Sequence, residues 1–86
     1  MKIIYSERFE TALIQWKKRD PGVFERIKNQ IEKVIEQPTL GKPLRYALKN
    51  RRRVRVGSFV LVYEFHSDEL RFLDFDRHDK IYKKDT

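Results

Sequence analysis

The chain contains no cysteine, which removes disulfides, thiolate chemistry and the usual structural zinc sites together, so packing has to hold the fold. It also lacks a long apolar run: the longest, Phe59 to Tyr63, falls far short of the roughly 20 residues that a membrane-spanning helix needs. The opening residues Met1-Lys2-Ile3-Ile4-Tyr5-Ser6-Glu7-Arg8 carry no signal-peptide pattern. The expectation is therefore a cytoplasmic protein with no membrane association. A third absence is local: no acidic residue occurs between Glu36 and Glu64.

What is present bounds the answer further. A chain of 86 residues has room for one core and no second, so residues 1–86 are expected to form a single domain. With 40% hydrophobic and 38% charged residues, the composition suits a globular protein with an unusually charged surface. The net charge of +7 is concentrated in the acid-free segment, which holds Lys42, Arg45, Lys49, Arg51, Arg52, Arg53 and Arg55; the other 13 basic residues balance the 13 acidic ones. A patch of that kind makes a polyanion the default partner.

Hydrophobic periodicity divides the chain. Lys2 to Tyr5 reads as a short strand ending at Ser6, a good helix N-cap. Phe9, Ala12, Leu13 and Trp16 recur at helical spacing as far as about Arg19, and Asp20-Pro21-Gly22 breaks the helix and opens another. Phe24, Ile27, Ile31, Val34 and Ile35 form the second stripe, so two amphipathic helices make a hairpin in which Trp16 and Phe24 are core residues. Gln37 to Pro43 reads as a loop. Beyond it the period becomes two: Arg53 and Arg55 share one face of a strand, Val54 and Val56 the other. Gly57-Ser58 makes a turn, Phe59 to Phe65 is apolar on both faces as a central strand is, and a turn at residues 66–69 leads to a last strand from Leu70 to Phe75. The predicted architecture is α+β: an N-terminal strand, a helical hairpin, then an antiparallel three-strand meander, with the helices packed on one face of a curved sheet and the other face open.

Certain stretches resemble a known family. Gly41-Lys42-Pro43-Leu44, then Arg52-Arg53-Val54-Arg55-Val56-Gly57-Ser58-Phe59, Leu61-Val62-Tyr63, and the tail Arg77-His78-Asp79-Lys80-Ile81-Tyr82 are similar to motifs of the RelE/ParE toxin superfamily. There a basic strand meets a Gly-aromatic turn and a strand ending in Tyr, and a His/Arg pair precedes an apolar residue and a Tyr. The resemblance covers essentially the whole chain. It implies the toxin of a type II toxin–antitoxin system, an mRNA interferase that cuts message in the ribosomal decoding site and is held inactive in a hetero-oligomer with a RelB-like antitoxin encoded nearby. It also implies that Arg53 and Arg55 contact and stabilise the RNA backbone and that Tyr82 orients or activates the attacking hydroxyl. The family usually has another Arg directly after the Gly-x-aromatic turn; here that position is Val60. The tail reads Arg77-His78, where the reverse order is common.

Metal-independent RNA cleavage requires deprotonation of a 2′-hydroxyl, neutralisation of charge on the phosphorane-like transition state, and protonation of the departing 5′-oxygen. Arg53 and Arg55 present planar donors suited to phosphate oxygens. His78, whose imidazole can both accept and donate a proton, is the candidate general acid or base. Arg77 would add charge near the leaving group, and Lys42, Arg45, Lys49, Arg51 and Arg52 are candidates for holding the RNA backbone. No metal site is expected, since Asp74, Asp76, His78 and Asp79 follow no recognisable ligand spacing. No cofactor is expected either. Two alternatives stay open: a ParE-like inhibitor of DNA gyrase, to which Val60 points, and a non-catalytic module that binds nucleic acid or ribosomes through the same patch.

Overall fold

The structure, a computed structural model, describes residues 1–44 and 50–84, with side chains as far as Ile81. In chain order the elements are β1 (Lys2–Tyr5), α1 (Glu7–Arg19), α2 (Pro21–Glu36), β2 (Lys42–Pro43), β3 (Arg51–Val56), β4 (Phe59–His66), β5 (Glu69–Arg77) and α3 (His78–Lys84). The fold is α+β, with the hairpin of α1 and α2 on one face of a single sheet. The meander of β3, β4 and β5 lies at its centre, within the order β1-β5-β4-β3-β2. Two strands flank it: β1 joins β5 in parallel and the two-residue β2 joins β3 antiparallel. No helix among the described residues is long and apolar enough to cross a membrane.

Local chemistry explains the helix boundaries. The Ser6 hydroxyl oxygen accepts from the Phe9 N–H at 3.0 Å and its hydroxyl donates to the Leu73 carbonyl at 2.8 Å, so one residue caps α1 and ties its start to β5. Asp20 accepts from the Gly22 and Val23 N–H groups, and Pro21 opens α2 where a missing N–H costs nothing. Glu7 and Glu10 in the first turn of α1 and Lys17, Lys18 and Arg19 in its last both complement the helix dipole.

The main core lies between the hairpin and the sheet. Phe9, Ile27 and Val34 from the helices meet Val54, Leu61, Leu70 and Phe72 from the strands, and each fully buried large apolar side chain stabilises the fold by about 1.5–3 kcal/mol. Two aromatic groups seat α1 on the sheet. Tyr5, Phe9 and Phe72 stack with centroids 5.4–5.9 Å apart, and Trp16 meets Phe59 edge-on at 4.8 Å while Phe59 stacks on Phe75 at 5.2 Å. Phe24, expected in the core beside Trp16, is only half-buried, with the ammonium groups of Lys17 and Lys28 5.8 and 5.7 Å from its ring centre.

Several details depart from the expected pattern. The last strand continues past Phe75 to Arg77, and a helix, α3, follows it directly. Lys42 and Pro43, read as loop, pair with Arg53 and Arg52. The second sheet face is not open throughout: Leu44, Val60, Val62 and Ile81 form a smaller apolar cluster there, with Leu73 packed against it. A β-bulge between Val62 and Tyr63 interrupts the β4–β5 register and increases the local twist. Because β1 reaches only to Phe72, the Phe75 and Arg77 N–H groups of β5 are taken up by the side chains of Asp74 and Asp76, both at 2.8 Å. Those carboxylates blunt an otherwise open strand edge. Asp74 also pairs with Arg8 at 3.5 Å.

Candidate nucleic-acid interface

Strand register decides which cations share a surface. Residues directly opposite one another in an antiparallel pair project from the same face. One row runs Lys42, Arg53, Val62, Asp74 across β2, β3, β4 and β5, and the next runs Arg55, Val60, Asp76. Val54 and Val56 take the other face and enter the main core, which leaves Arg53 half-buried and Arg55 exposed on the second face, as the alternation predicted.

Lys42, Arg53 and Arg55 line a groove of about 570 Å3 along the outer edge of β3. Since β2 covers β3 only opposite Arg52 and Arg53, the edge beyond is open to α2, whose Gln30 and Lys33 form the opposite wall, with Leu40 and Val54 contributing apolar surface. Gln30 Nε2 donates to the Arg55 carbonyl at 2.8 Å and so fixes the width of the groove there. Four cations line one depression: Lys33, Lys42, Arg53 and Arg55. Their like charges reinforce one another, and anions collect where such a field is focused. Gln30, Lys33 and Leu40 had no distinguishing signal in the sequence, because two are ordinary polar positions of an amphipathic helix and the third lies in a loop.

Other candidates do not join this group. Arg52 projects from the opposite face, where its Nη1 donates to the carbonyls of Gly41 at 2.8 Å and Thr39 at 3.3 Å, so it does not face the groove. Arg51 is engaged with its cross-strand partner Glu64, Nε to Oε2 at 3.7 Å. Arg77 is exposed at the end of β5, but it pairs with Phe59 and follows Phe75, both on the helix side, so its side chain leaves the sheet on the face opposite Arg55. His78 opens α3, and its N–H donates to the Ser58 carbonyl at 3.3 Å, which places it beside the β3–β4 turn. Arg45 and Lys49 lie outside the described residues, as does the side chain of Tyr82, whose backbone falls within α3 one turn after His78.

Val60, at the position where a further arginine was the family expectation, is completely buried against Val62, Leu44 and Ile81 of α3. It is the cross-strand neighbour of Arg55. An apolar seat for α3 therefore occupies the sheet surface directly beside the arginine pair. Among the described residues no group of three or more His, Asp or Glu side chains gathers in a way that could hold a metal ion.

Residues 3–82 match the family model described as the ParE toxin of the type II toxin–antitoxin system parDE. RelE4 of Methanocaldococcus jannaschii, described as a toxin, is 39% identical over 70 residues, which cover 78% of this chain and 74% of that protein. Among solved structures, the YoeB/ParE toxin from Agrobacterium tumefaciens superposes with a TM-score of 0.78 at 19% identity, covering 91% of this chain and 99% of that one. In the RelB–RelE antitoxin–toxin complex from Methanococcus jannaschii, a chain superposes with a TM-score of 0.66 at 23% identity, covering 94% and 96%. At these identities the superpositions establish the fold.

Proposed function

This chain belongs to the ParE toxin family of type II toxin–antitoxin systems, and from that premise we propose that it is a cytoplasmic, ribosome-dependent mRNA endonuclease that inhibits translation. The observation that carries the reading is the row of Lys42 and Arg53 beside Arg55 on one sheet face, lining a groove with Lys33 opposite. Spacing of two along a strand and about 4.8 Å between strands holds these cations at phosphate-like intervals.

In this reading the 2′-oxygen of a bound ribonucleotide attacks the adjacent phosphorus and the bond from phosphorus to the 5′-oxygen breaks. The products are a 2′,3′-cyclic phosphate and a 5′-hydroxyl. Arg53 and Arg55 donate to the non-bridging oxygens as charge builds on them, a role that needs no proton transfer. His78 either takes the proton of the 2′-hydroxyl or gives one to the departing 5′-oxygen, solvent water serving the other oxygen, and Tyr82 orients the attacking hydroxyl. With Val60 buried under α3, transition-state charge on this face falls chiefly to Arg53 and Arg55, and a modest cleavage rate is expected. Arg77 acts at longer range as a source of positive potential.

A cognate antitoxin is the natural partner, as RelB is for RelE in the complex of similar fold. An acidic, partly apolar segment laid in the groove would meet Lys33, Lys42, Arg53 and Arg55 and cover Leu40, which is 42% exposed, combining charge complementarity with apolar burial. The burial of Val60 and the family model's description as a ParE toxin favour inhibition of DNA gyrase as the second reading. Inducible expression with mapping of RNA 5′ ends separates them: mRNA cleavage yields new ends within translated messages that decline with Arg55→Ala, whereas gyrase inhibition leaves messages intact and traps DNA breaks.

A further inference from the structure

Arg52, one of three consecutive arginines, faces away from the groove, and what it holds there is the segment that carries Lys42. Its Nη1 donates to two carbonyls of that segment, those of Thr39 and Gly41. Beside it the Tyr63 hydroxyl donates to the Pro38 carbonyl at 2.6 Å and accepts the Gly41 N–H at 2.8 Å. Residues 38–41 are thus fastened at four points by two side chains projecting from the helix-side face of β3 and β4. The approach is so close that a Cβ at Gly41 would lie 2.7 Å from the Arg53 carbonyl oxygen and 2.8 Å from the Tyr63 oxygen, which explains glycine at this position. Directly after the fastened segment comes Lys42, which turns to the other face and sits opposite Arg53.

β2 cannot hold this arrangement unaided. It is two residues long, one of them Pro43, which has no N–H to give the ladder. Without the clamp, Lys42 would hang on a flexible loop and its charge would be averaged over many positions.

We propose that Arg52 and Tyr63 are positioning residues for polyanion binding: together they clamp residues 38–41 from behind the sheet so that Lys42 is presented in the groove beside Arg53. This rests on the reading of the groove as an RNA-binding surface and deepens it, since two residues that touch no RNA set the placement of one that does. Three stretches separated in sequence, Gly41-Lys42, Arg52-Arg53 and Tyr63, become one assembly in which each residue has a distinct part.

The test is a double-mutant cycle read by binding to a single-stranded RNA oligonucleotide across 50–200 mM salt. Tyr63 is uncharged and completely buried, so Tyr63→Phe removes two of the clamp's four hydrogen bonds without removing any possible RNA contact. Lys42→Ala is expected to lower the salt slope by roughly 0.7, about a fivefold loss of affinity near 0.1 M salt. Tyr63→Phe should reproduce most of that loss in the wild-type background and cause almost none in the Lys42→Ala background; Arg52→Met should behave in the same way. Denaturation curves ensure that every variant is measured well below its unfolding temperature. If Tyr63→Phe keeps the full wild-type slope, or if Arg52→Met and Lys42→Ala add independently as two direct contacts would, the inference falls while the RNA reading stands. A wild-type protein whose RNA binding does not respond to salt overturns the reading and the inference with it.

Discussion

On one side of β4, Leu61 and Tyr63 are buried; on the other, Val60 and Val62 are buried as well. What covers them differs. Leu61 and Tyr63 lie under two helices in a cluster that extends through Phe9, Ile27, Val34, Phe72 and Phe75, whereas Val60 and Val62 are covered by Leu44, Ile81 of a short helix and the flank of Leu73. Among the described residues the first face is deeply and mutually packed, the second thinly, and the groove cations stand at the border of the second. In the proposed reading, a domain this small devotes one face of its sheet to stability and uses the border of the other for binding, where exposed side chains can be exchanged at little cost to the fold.

Substitutions on the two faces should therefore behave differently. The largest stability effect is expected on the helix side: Phe72→Ala should cost about 3–5 kcal/mol, read from urea denaturation, because it opens a cavity under both helices. Next comes Val60→Arg, which restores the residue common in the family. It has to force a long charged side chain beneath Ile81, so a loss of about 1–3 kcal/mol is expected together with no gain in RNA cleavage. A stable Val60→Arg variant that cleaves faster would show that the second face is as open as the sequence pattern implied.

Tyr63→Phe falls within the same range or below it, at about 1–3 kcal/mol, since the Gly41 N–H and Pro38 carbonyl lose their partner. It also carries a pH signature. Burial pushes the Tyr63 phenol above its ordinary value, against the opposing pull of the Gly41 N–H and the Arg52 guanidinium. The unfolded chain loses this proton at about pH 10 while the folded chain retains it. The associated stability is complete below that pH and is lost as pH rises through the folded value. In Tyr63→Phe that part of the alkaline loss disappears. The smallest stability change is expected for exposed Arg55→Ala, within about 0.5 kcal/mol, even though it should lower the salt slope of RNA binding by roughly 0.7 for each phosphate that the arginine had neutralised. If Arg55→Ala instead unfolds the protein, the division of labour between the faces is wrong.

Much of this was legible in the residues. The helical stripes, the Ser6 cap, the break at Asp20-Pro21-Gly22, the three meander strands and the projection of Arg53 and Arg55 from one face all depend on interactions within a few positions of chain, and these leave a local trace. Arg52 was expected among the residues holding the RNA backbone, and nothing local indicated that carbonyls of residues 39 and 41 would occupy it on the opposite face. Arg51 was equally opaque, because its partner Glu64 lies on another strand and is reached only through register.

The order of residues thus specified the class of element along most of the chain and the location of the excess charge, since both follow from short-range spacing and composition. Which cations act together was settled by folding. The groove exists because β2 stops after two residues and leaves the β3 edge facing α2. Likewise, Val60 became a seat for α3 because Ile81, twenty-one positions away, packs on it. Both outcomes are set by which surfaces meet in the folded chain, and long-range packing of that kind has no period in the sequence to announce it.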